Sequence, residues 1–325
     1  MPSAQPEKRL GDGAESERYQ AAMKYAQIIK EIGRGAKGAR PLSRDEAETL
    51  FSAILDGIVP DMELGAILIA LRVKGEELEE VFGFKAAMDS RCRQIVVPAG
   101  PRCVVLPTYN GARKQANLMP LVASLLARRG IPVLIQGRHD FETRVSPFDL
   151  LSALQIRTSL TMSDAAQQLH ITRLACLPLN VLCPGLDKLL ALRPRLGLRN
   201  SGHTIAKLLD PSPGRTVRVV AVTHPEYLER MEQFLTQEKA TALLMRGTEG
   251  EAYASPRRRP RLLGFQRGEP SELFEQVSVE AEASESDACS VENNVRIITG
   301  MLEGREAIPQ PILDQVDALA RLAES

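Results

Sequence analysis

Roughly the first 90 residues place apolar side chains at helical spacing, with polar side chains between them. Ser43 and Glu46 fit a capping box, in which each side chain satisfies a free backbone amide at a helix start. The glycine-rich segment 33–38 is expected to end the helix before it. Short helices are predicted at residues 21–32, from Ser43 to about Leu55, from Asp61 and from Glu76. The pattern therefore indicates an all-helical N-terminal region.

The pattern changes near residue 95, where short β-branched runs alternate with helical segments. The runs predict strands at residues 103–106, 131–135, 217–222 and 240–245. This alternation is typical of parallel βαβ units. The expected fold class is α/β, with a small all-helical domain and a larger domain built on a mostly parallel central sheet flanked by helices. Ligands of such sheets bind beyond the carboxyl ends of the strands.

The two patterns also predict the domain boundaries. Residues 1–20 mix proline, glycine and charges and are expected to be a flexible segment. Residues 21–92 are expected to form the helical domain, joined by a proline-punctuated helical insertion at 176–209. Residues 93–175 and 210–325 then make up the α/β domain.

The net charge of zero, from 41 basic and 41 acidic side chains, hides an uneven distribution. Residues 193–267 carry fourteen Lys and Arg against seven Asp and Glu. Residues 269–292 carry eight acidic side chains and no basic one, which predicts a solvated stretch before a final helix at about 310–323. The chain as a whole gives no reason to expect a polyanionic partner, but one region does.

Several classes of protein are excluded by composition. A chain of 325 residues has room for about two domains and needs no disulfide or metal to fold. The five cysteines are odd in number and scattered, unlike a secreted disulfide framework. Neither a signal peptide nor a membrane-spanning run of about 18 apolar residues is visible. We therefore expect a cytoplasmic protein.

Basic side chains follow three of the predicted strands. They are Arg113 and Lys114 after the first strand, Arg138 and His139 after the second, and Arg246, Arg257, Arg258, Arg259 and Arg261 after the last. Because the carboxyl ends of parallel strands share one edge of a sheet, these cations are expected to converge on an anion-binding face. The arginine run by itself is equally consistent with a solvated loop.

Residues 42–88, LSRDEAETLFSAILDGIVPDMELGAILIALRVKGEELEEVFGFKAAM, carry a family resemblance. They resemble the N-terminal helical domain of anthranilate phosphoribosyltransferase and its nucleoside-phosphorylase relatives, and the resemblance continues in register to about residue 265. It implies a small helical domain, a larger α/β domain, and a homodimer formed through the helical domains.

The catalytic motifs of that family are absent. Its GTGGDG loop, which binds the pyrophosphate of phosphoribosyl pyrophosphate (PRPP), falls on PTYNGA at 107–112. Its NIST falls on NLMP at 117–120 and its KHGN on IQGR at 135–138. Its magnesium-binding acidic pair falls on Ala252 and Tyr253. The resemblance leaves Thr108, Asn110 and Gly111 as candidate anion-binding residues, with no catalytic residue, metal ligand or cofactor expected.

Residues 198–209 and 246–260 are similar to a divergent branch of TrpD-like proteins that keeps the fold and binds nucleic acids. The resemblance implies that the former active-site cleft is a basic groove. The candidate phosphate contacts are Arg113, Lys114, Arg138, Arg195, Arg199, Lys207, Arg257, Arg258 and Arg259. No sequence-reading motif is visible, so sequence-independent DNA or RNA binding is expected. Aromatic residues are only 4% of the chain, and only Tyr109 and Tyr253 are candidates for base stacking.

Two alternatives remain open. One is a magnesium-dependent glycosyltransferase or phosphoribosyltransferase acting on an aromatic or base-like acceptor, with Glu249 or Glu251 as replacement metal ligands. The other is a structural dimer whose helical domain binds an unrelated protein.

Overall fold

The structure is a computed structural model that describes residues 24–35, 37–139, 143–223, 225–278 and 290–325. The chain divides into two compact units. The helical unit comprises the residues up to Ala87 together with Leu192–Ser201, and the α/β unit comprises Met88–Ala191 and Gly202–Ser325. The segment 1–20, predicted to be flexible, lies outside the described residues.

The helices and strands are numbered in chain order. The helices are α1 (24–32), α2 (Arg44–Leu55), α3 (Asp61–Lys74), α4 (Leu78–Asp89), α5 (Met119–Arg128), α6 (Pro147–Ala153), α7 (Met162–Ile171), α8 (Leu179–Leu182), α9 (Pro184–Leu190), α10 (Arg193–Leu196), α11 (Gly202–Ile205), α12 (Pro225–Gln237), α13 (Val291–Leu302) and α14 (Gln310–Glu324). A 3₁₀ turn follows α11 at Ala206–Leu208. The strands are β1 (Cys103–Thr108), β2 (Val133–Gly137), β3 (Leu174–Pro178), β4 (Thr216–Val222), β5 (Ala242–Arg246), β6 (Arg258–Arg259), β7 (Leu262–Gln266), β8 (Glu269–Phe274) and β9 (Val277–Ser278).

Within the helical unit, an aromatic pair and one close backbone contact join α2 to α4. Phe51 of α2 stacks on Phe84 of α4 with ring centroids 4.7 Å apart. A Cβ at Gly83 would lie 2.3 Å from a carbonyl oxygen of α2, so glycine allows the two helices to approach. The predicted capping box is confirmed, since the amides of Ser43 and Glu46 each donate to the other's side chain.

One seven-stranded sheet organises the α/β unit, in the order β3-β2-β1-β4-β5-β7-β8. Strands β1 to β5 are parallel, whereas β7 and β8 are antiparallel. Strands β1, β2 and β4 are buried along their whole length, as expected for parallel strands covered by helices on both faces. The four predicted strands and the α/β fold class are confirmed.

The predicted insertion at 176–209 is wrong in extent. Residues 174–178 form β3, which pairs in parallel with β2, and the short helices α8 and α9 follow it within the α/β unit. Only Leu192–Ser201 belongs to the helical unit. The proline-rich sequence resembled helix throughout because β3 is short and ends on a proline.

The acidic stretch at 269–292 is partly a strand. Its first residues form β8, whose side chains are mostly exposed at the edge of the sheet. Charged side chains on an edge strand oppose pairing with another chain. Residues 279–289 lie outside the described residues. The final helix is confirmed as α14, which packs against the sheet and is largely buried.

A buried cation joins β4 to the residue that follows α12. Arg218 is 3% exposed and donates to the carboxylate of Glu238 at 2.5 Å and to the carbonyl oxygen of Leu208 at 2.9 Å. Asp210 lies 4.0 Å from the same guanidinium. Because the charge has two acidic neighbours, its burial is compensated.

The described cysteines are core residues. Cys92, Cys103, Cys176 and Cys183 are all buried as free thiols, and Cys289 lies outside the described residues. Burial raises the pKa of Cys103 and of Cys176 to about 12, so both remain protonated. In the described part of the chain, no helix combines the length and apolar character needed to cross a membrane.

Candidate anion-binding site

Three loops meet at the carboxyl end of the parallel sheet. The loop after β1 (109–118) contacts the loop after β2 through Gly111, whose carbonyl oxygen accepts a hydrogen bond from Arg144. Gly137 ends β2, and a Cβ there would lie 1.8 Å from the carbonyl oxygen of Thr108, so only glycine fits. The loop after β5 (247–257) supplies two glutamates to the first loop.

Glu251 occupies the amide cluster at the end of β1. Its carboxylate accepts hydrogen bonds from the Thr108 hydroxyl at 2.7 Å and from the amides of Tyr109, Asn110 and Gly111 at 3.2, 2.8 and 3.1 Å. Glu251 itself is fully buried. Thr108, Asn110 and Gly111 are the residues predicted to bind an anion, and all three donate to this carboxylate. The anion, however, is a carboxylate of the chain itself.

Glu249 occupies the next amides in the same way. Its carboxylate accepts from the amide of Lys114 at 2.8 Å and from that of Arg113 at 3.1 Å. The guanidinium of Arg144 lies 3.6 Å from its other oxygen. The side chain of Glu249 is 12% exposed, so this contact lies nearer the surface than that of Glu251.

Two opposing effects set the ionisation of Glu251. Burial raises the pKa of its carboxyl group, and the hydrogen bonds from the hydroxyl and the three amides oppose that shift. The net pKa is raised above the usual glutamate value. The loop after β1 is thus built around a buried acidic group whose proton is held more tightly in the folded chain than in water.

The arrangement does not fit a divalent cation. Magnesium needs oxygen lone pairs, but N–H and O–H donors face the carboxylates of Glu249 and Glu251. Ala252 and Tyr253, where the family's acidic pair falls, are buried and offer no ligand. Across the described ranges, no group of three or more His, Cys, Asp or Glu could hold a metal ion. In this arrangement both carboxylates are engaged by donors of the chain, so Glu249 and Glu251 would have to leave these amides to serve as magnesium ligands.

The two tyrosines considered as candidates for base stacking are core residues. Tyr109 is 4% exposed and donates its hydroxyl hydrogen to Gln136 at 2.5 Å. Tyr253 is fully buried and donates to the carbonyl oxygen of Ala116 at 3.0 Å. Both rings are enclosed within the α/β unit, so no base could stack on them.

Three of the basic side chains that were predicted to contact phosphate have partners within the α/β unit. Arg138 lies 2.6 Å from the carboxylate of Asp187, and Arg259 lies 2.6 Å from that of Asp314. Lys207 donates to the carbonyl oxygen of Ala221. The charges of Arg138 and Arg259 are therefore partly neutralised before any ligand arrives, and the ammonium group of Lys207 already has an acceptor.

The other candidates lie nearer the solvent. Arg113, Lys114 and Arg257 are exposed in the loops at the carboxyl edge, and Arg258 is half-buried in β6. Arg195 belongs to the helical unit, where its exposed side chain lies 3.7 Å from Asp61. Arg199 belongs to the same unit and is half-buried. In the α/β unit, the carboxyl-edge loops join Arg113 and Lys114 to Glu249, and Arg257 is exposed at the end of the loop after β5.

Sequence reasoning missed Arg144 and the role of both glutamates. The glycine at position 250 is the one sequence feature that could have indicated this turn. Its φ is 88°, and a Cβ there would lie 2.4 Å from the side-chain nitrogen of Asn110, so the position requires glycine. Glu249 beside it has a φ of 52°, which is uncommon for a residue with a side chain.

Comparison with known proteins places these features in a family. The model of the glycosyl transferase family helical bundle domain matches residues 26–92. YbiB of Escherichia coli K12 is 42% identical over 296 residues, which cover 90% of this chain and 92% of that protein. Anthranilate phosphoribosyltransferase of Bradyrhizobium sp. BTAi1 is 27% identical over 67% of this chain and 64% of its own length.

Solved structures give the same fold. Anthranilate phosphoribosyltransferase (TrpD) of Thermus thermophilus superposes with a TM-score of 0.72 at 22% identity, covering 92% of this chain and 87% of that chain. The Saccharomyces cerevisiae enzyme in complex with PRPP and Mg gives a TM-score of 0.71 at 15% identity, covering 90% of this chain and 86% of that one. The fold is that of a phosphoribosyltransferase, and by its similarity to YbiB the chain belongs to the TrpD-like family.

Proposed function

We propose that this chain binds DNA or RNA independently of sequence, through phosphate contacts at the carboxyl edge of its sheet. The observation that carries the proposal is the occupation of the loop after β1 by Glu251. The amides that would bind a free pyrophosphate group already bind Glu251. Exposed Lys114 and Arg257, by contrast, lie in loops at the same edge. A nucleic-acid backbone needs only such surface cations.

The expected binding mode is electrostatic. Each phosphate neutralised by Lys or Arg releases condensed counterions, so affinity falls steeply as salt rises. Base stacking contributes little, since Tyr109 and Tyr253 are buried. Arg138, Arg259 and Lys207 already contact acceptors within the chain, so we expect them to orient the loops more than to supply free charge.

The test is fluorescence anisotropy of a labelled single strand of about 30 nucleotides, at about 50 mM salt. The test variant is Lys114→Gln with Arg257→Gln. The matched control is Lys239→Gln with Arg267→Gln, which removes two exposed cations at the opposite, amino-terminal edge of the sheet. We expect the test variant to bind about tenfold or more weakly than wild type, and the control to bind like wild type. Equal losses in both variants, or no binding by wild type, would refute the proposal.

A second candidate function is the transfer of a phosphoribosyl group to an aromatic or base-like acceptor. It is favoured by the fold shared with the yeast enzyme solved with PRPP and Mg. It requires Glu249 and Glu251 to leave the amides that hold them. Isothermal titration of PRPP with magnesium tests it: heat at millimolar ligand that disappears without magnesium would support it, and no heat would exclude it.

We also propose a homodimer through the helical unit. Along α3, Met62, Ile69 and Val73 are exposed by 79%, 37% and 60% and follow one another at helical spacing. A monomer gains nothing from such a stripe, whereas an interface buries it. Sedimentation of Ile69→Asp should show monomer where wild type shows dimer. A wild-type monomer would refute the dimer and leave the stripe for an unrelated protein partner.

A further inference from the structure

Glu249 and Glu251 hold adjacent amides, but the two carboxylates are bound very differently. Glu251 is fully buried and accepts from four donors, so it is part of the core of the loop. Glu249 is partly exposed and accepts from two amides, with Arg144 at 3.6 Å. A solvent-side anion can approach Glu249 without unpacking the core.

The backbone at Glu249 is also strained. Its φ of 52° lies in the left-handed region, which a residue with a side chain adopts at a cost. Gly250 follows with a φ of 88°, so two successive left-handed residues form the turn that presents the carboxylate. The turn therefore costs free energy at Glu249, whereas glycine adopts the same region freely at Gly250.

The groups that face Glu249 form a receptor for an oxyanion. Two backbone amides, from Arg113 and Lys114, point at one of its oxygens, and the guanidinium of Arg144 lies beside the other. Arg144 is anchored by its hydrogen bond to the carbonyl oxygen of Gly111 and is 19% exposed. Paired amides with an arginine are the donors that a phosphate group prefers.

We propose that Glu249 is a displaceable internal ligand, and that the amides of Arg113 and Lys114 with Arg144 form a phosphate subsite for one phosphodiester group of a bound nucleic acid. This inference rests on the proposed function and adds a defined subsite to it. The carboxylate competes with the phosphate because it is tethered to the same site, which gives it a high effective concentration. Wild-type affinity is therefore held below what the basic loops could reach.

The experiment removes the competitor. Glu249→Gln keeps the side-chain shape and removes its charge, and Glu249→Gly removes the side chain from a residue whose φ glycine tolerates. The second variant keeps the test valid where the first disturbs folding. The matched control is Glu229→Gln, which removes one exposed charge from α12 and so reports the general effect of a less negative protein.

Two probes are titrated into each protein: a labelled oligothymidylate of about 30 nucleotides by anisotropy, and inorganic pyrophosphate by calorimetry. We expect both Glu249 variants to bind the oligonucleotide at least about fivefold more tightly than wild type. The slope of log affinity against log salt concentration should be steeper by about 0.7, for one added phosphate contact. Glu229→Gln should bind like wild type. Adding Arg144→Gln to Glu249→Gln should remove the gain.

The outcomes separate this inference from the proposed function. If wild type binds the oligonucleotide but neither Glu249 variant binds it more tightly than Glu229→Gln, the subsite is refuted and nucleic-acid binding stands. If wild type binds no oligonucleotide, nucleic-acid binding is refuted and the pyrophosphate titration decides the subsite. In that case heat with the Glu249 variants and none with wild type supports a phosphate subsite, and no heat with any of them refutes it.

Discussion

Replacement of Glu251 by alanine tests whether the loop after β1 is held by an internal carboxylate. The substitution leaves the Thr108 hydroxyl and three backbone amides buried without their acceptor. A buried donor without a partner costs about 1–3 kcal/mol, and water that enters the gap offsets part of the total. We therefore expect Glu251→Ala to lower the free energy of unfolding by about 3–5 kcal/mol.

Glutamine at the same position should be far less damaging. Its carbonyl oxygen can still accept from the three amides, and its amide nitrogen can donate to Thr108, whose hydroxyl can rotate to accept. The expected loss for Glu251→Gln is about 1 kcal/mol. The exposed control Glu229→Ala should stay within about 0.5 kcal/mol of wild type.

The assay is urea unfolding followed by tyrosine emission, which is usable because the chain has no tryptophan. Tyr109 and Tyr253 are buried in the α/β unit, so their signal reports the unit that contains the substitution. If Glu251→Ala were as stable as Glu229→Ala, the loop would not depend on the carboxylate. Glu251 would then not be the group that closes the site.

Three further predictions concern particular residues. The raised pKa of Glu251 means that the folded chain binds the proton of this carboxyl group more tightly than the unfolded chain does. The resulting contribution to the free energy of unfolding is full below the unfolded pKa and is lost as pH rises through the folded pKa. Urea titrations should show wild type losing stability relative to Glu251→Gln as pH rises over that window, and the opposite trend would contradict a raised pKa. Gly83→Ala should destabilise the helical unit by about 1–3 kcal/mol through its clash with α2. Gly65→Ala, with no atom within 4 Å of its Cβ, should stabilise the same unit by up to about 1 kcal/mol in thermal unfolding. Equal changes in stability for the two glycine variants would refute the close contact of Gly83 with α2. Arg218→Ala should cost about 3 kcal/mol in urea unfolding, because it leaves Glu238 and Asp210 without their cation, and a loss under about 1 kcal/mol would show that the pair is unimportant.

Much of the fold could be predicted from local pattern. Ser43 and Glu46 marked the start of α2, and the β-branched runs marked β1, β2, β4 and β5. Strand β3 was missed because LACLP is short, ends on proline and runs directly into helices α8 and α9. Its role as a strand depends on pairing with β2, which is a long-range contact and leaves no periodic signal.

The candidate site could be predicted only in part. The anion-binding residues Thr108, Asn110 and Gly111 follow from their place after β1 and from the family resemblance. The identity of the anion does not, since Glu251 lies 143 positions from Thr108. Likewise, the sequence places Arg259 in an arginine run without indicating an acidic partner. Its partner, Asp314, lies 55 positions away along the chain. Charges cannot be assigned to solvent or to an internal partner until the fold places them.

The shared fold contains a loop after β1 that, in this chain, holds an internal carboxylate. The sheet and its strand ends superpose on those of anthranilate phosphoribosyltransferases over about nine-tenths of the chain. In this chain the carboxylate of Glu251 faces the amides after β1. The carboxylate satisfies amides that would otherwise be buried without an acceptor, so the loop after β1 can be folded without a bound ligand.

The salt dependence of nucleic-acid binding tests the central claim most directly. The dissociation constant of a labelled single strand of about 30 nucleotides is measured from about 50 to about 300 mM salt for wild type, Lys114→Gln with Arg257→Gln, and Lys239→Gln with Arg267→Gln. We predict that the affinity of wild type and of the control falls steeply with salt. For the test variant, which loses two phosphate contacts, the slope of log affinity against log salt concentration should be smaller in magnitude by about 1.4. Identical slopes in all three proteins, or no binding at the lowest salt, would contradict a nucleic-acid site at this edge of the sheet.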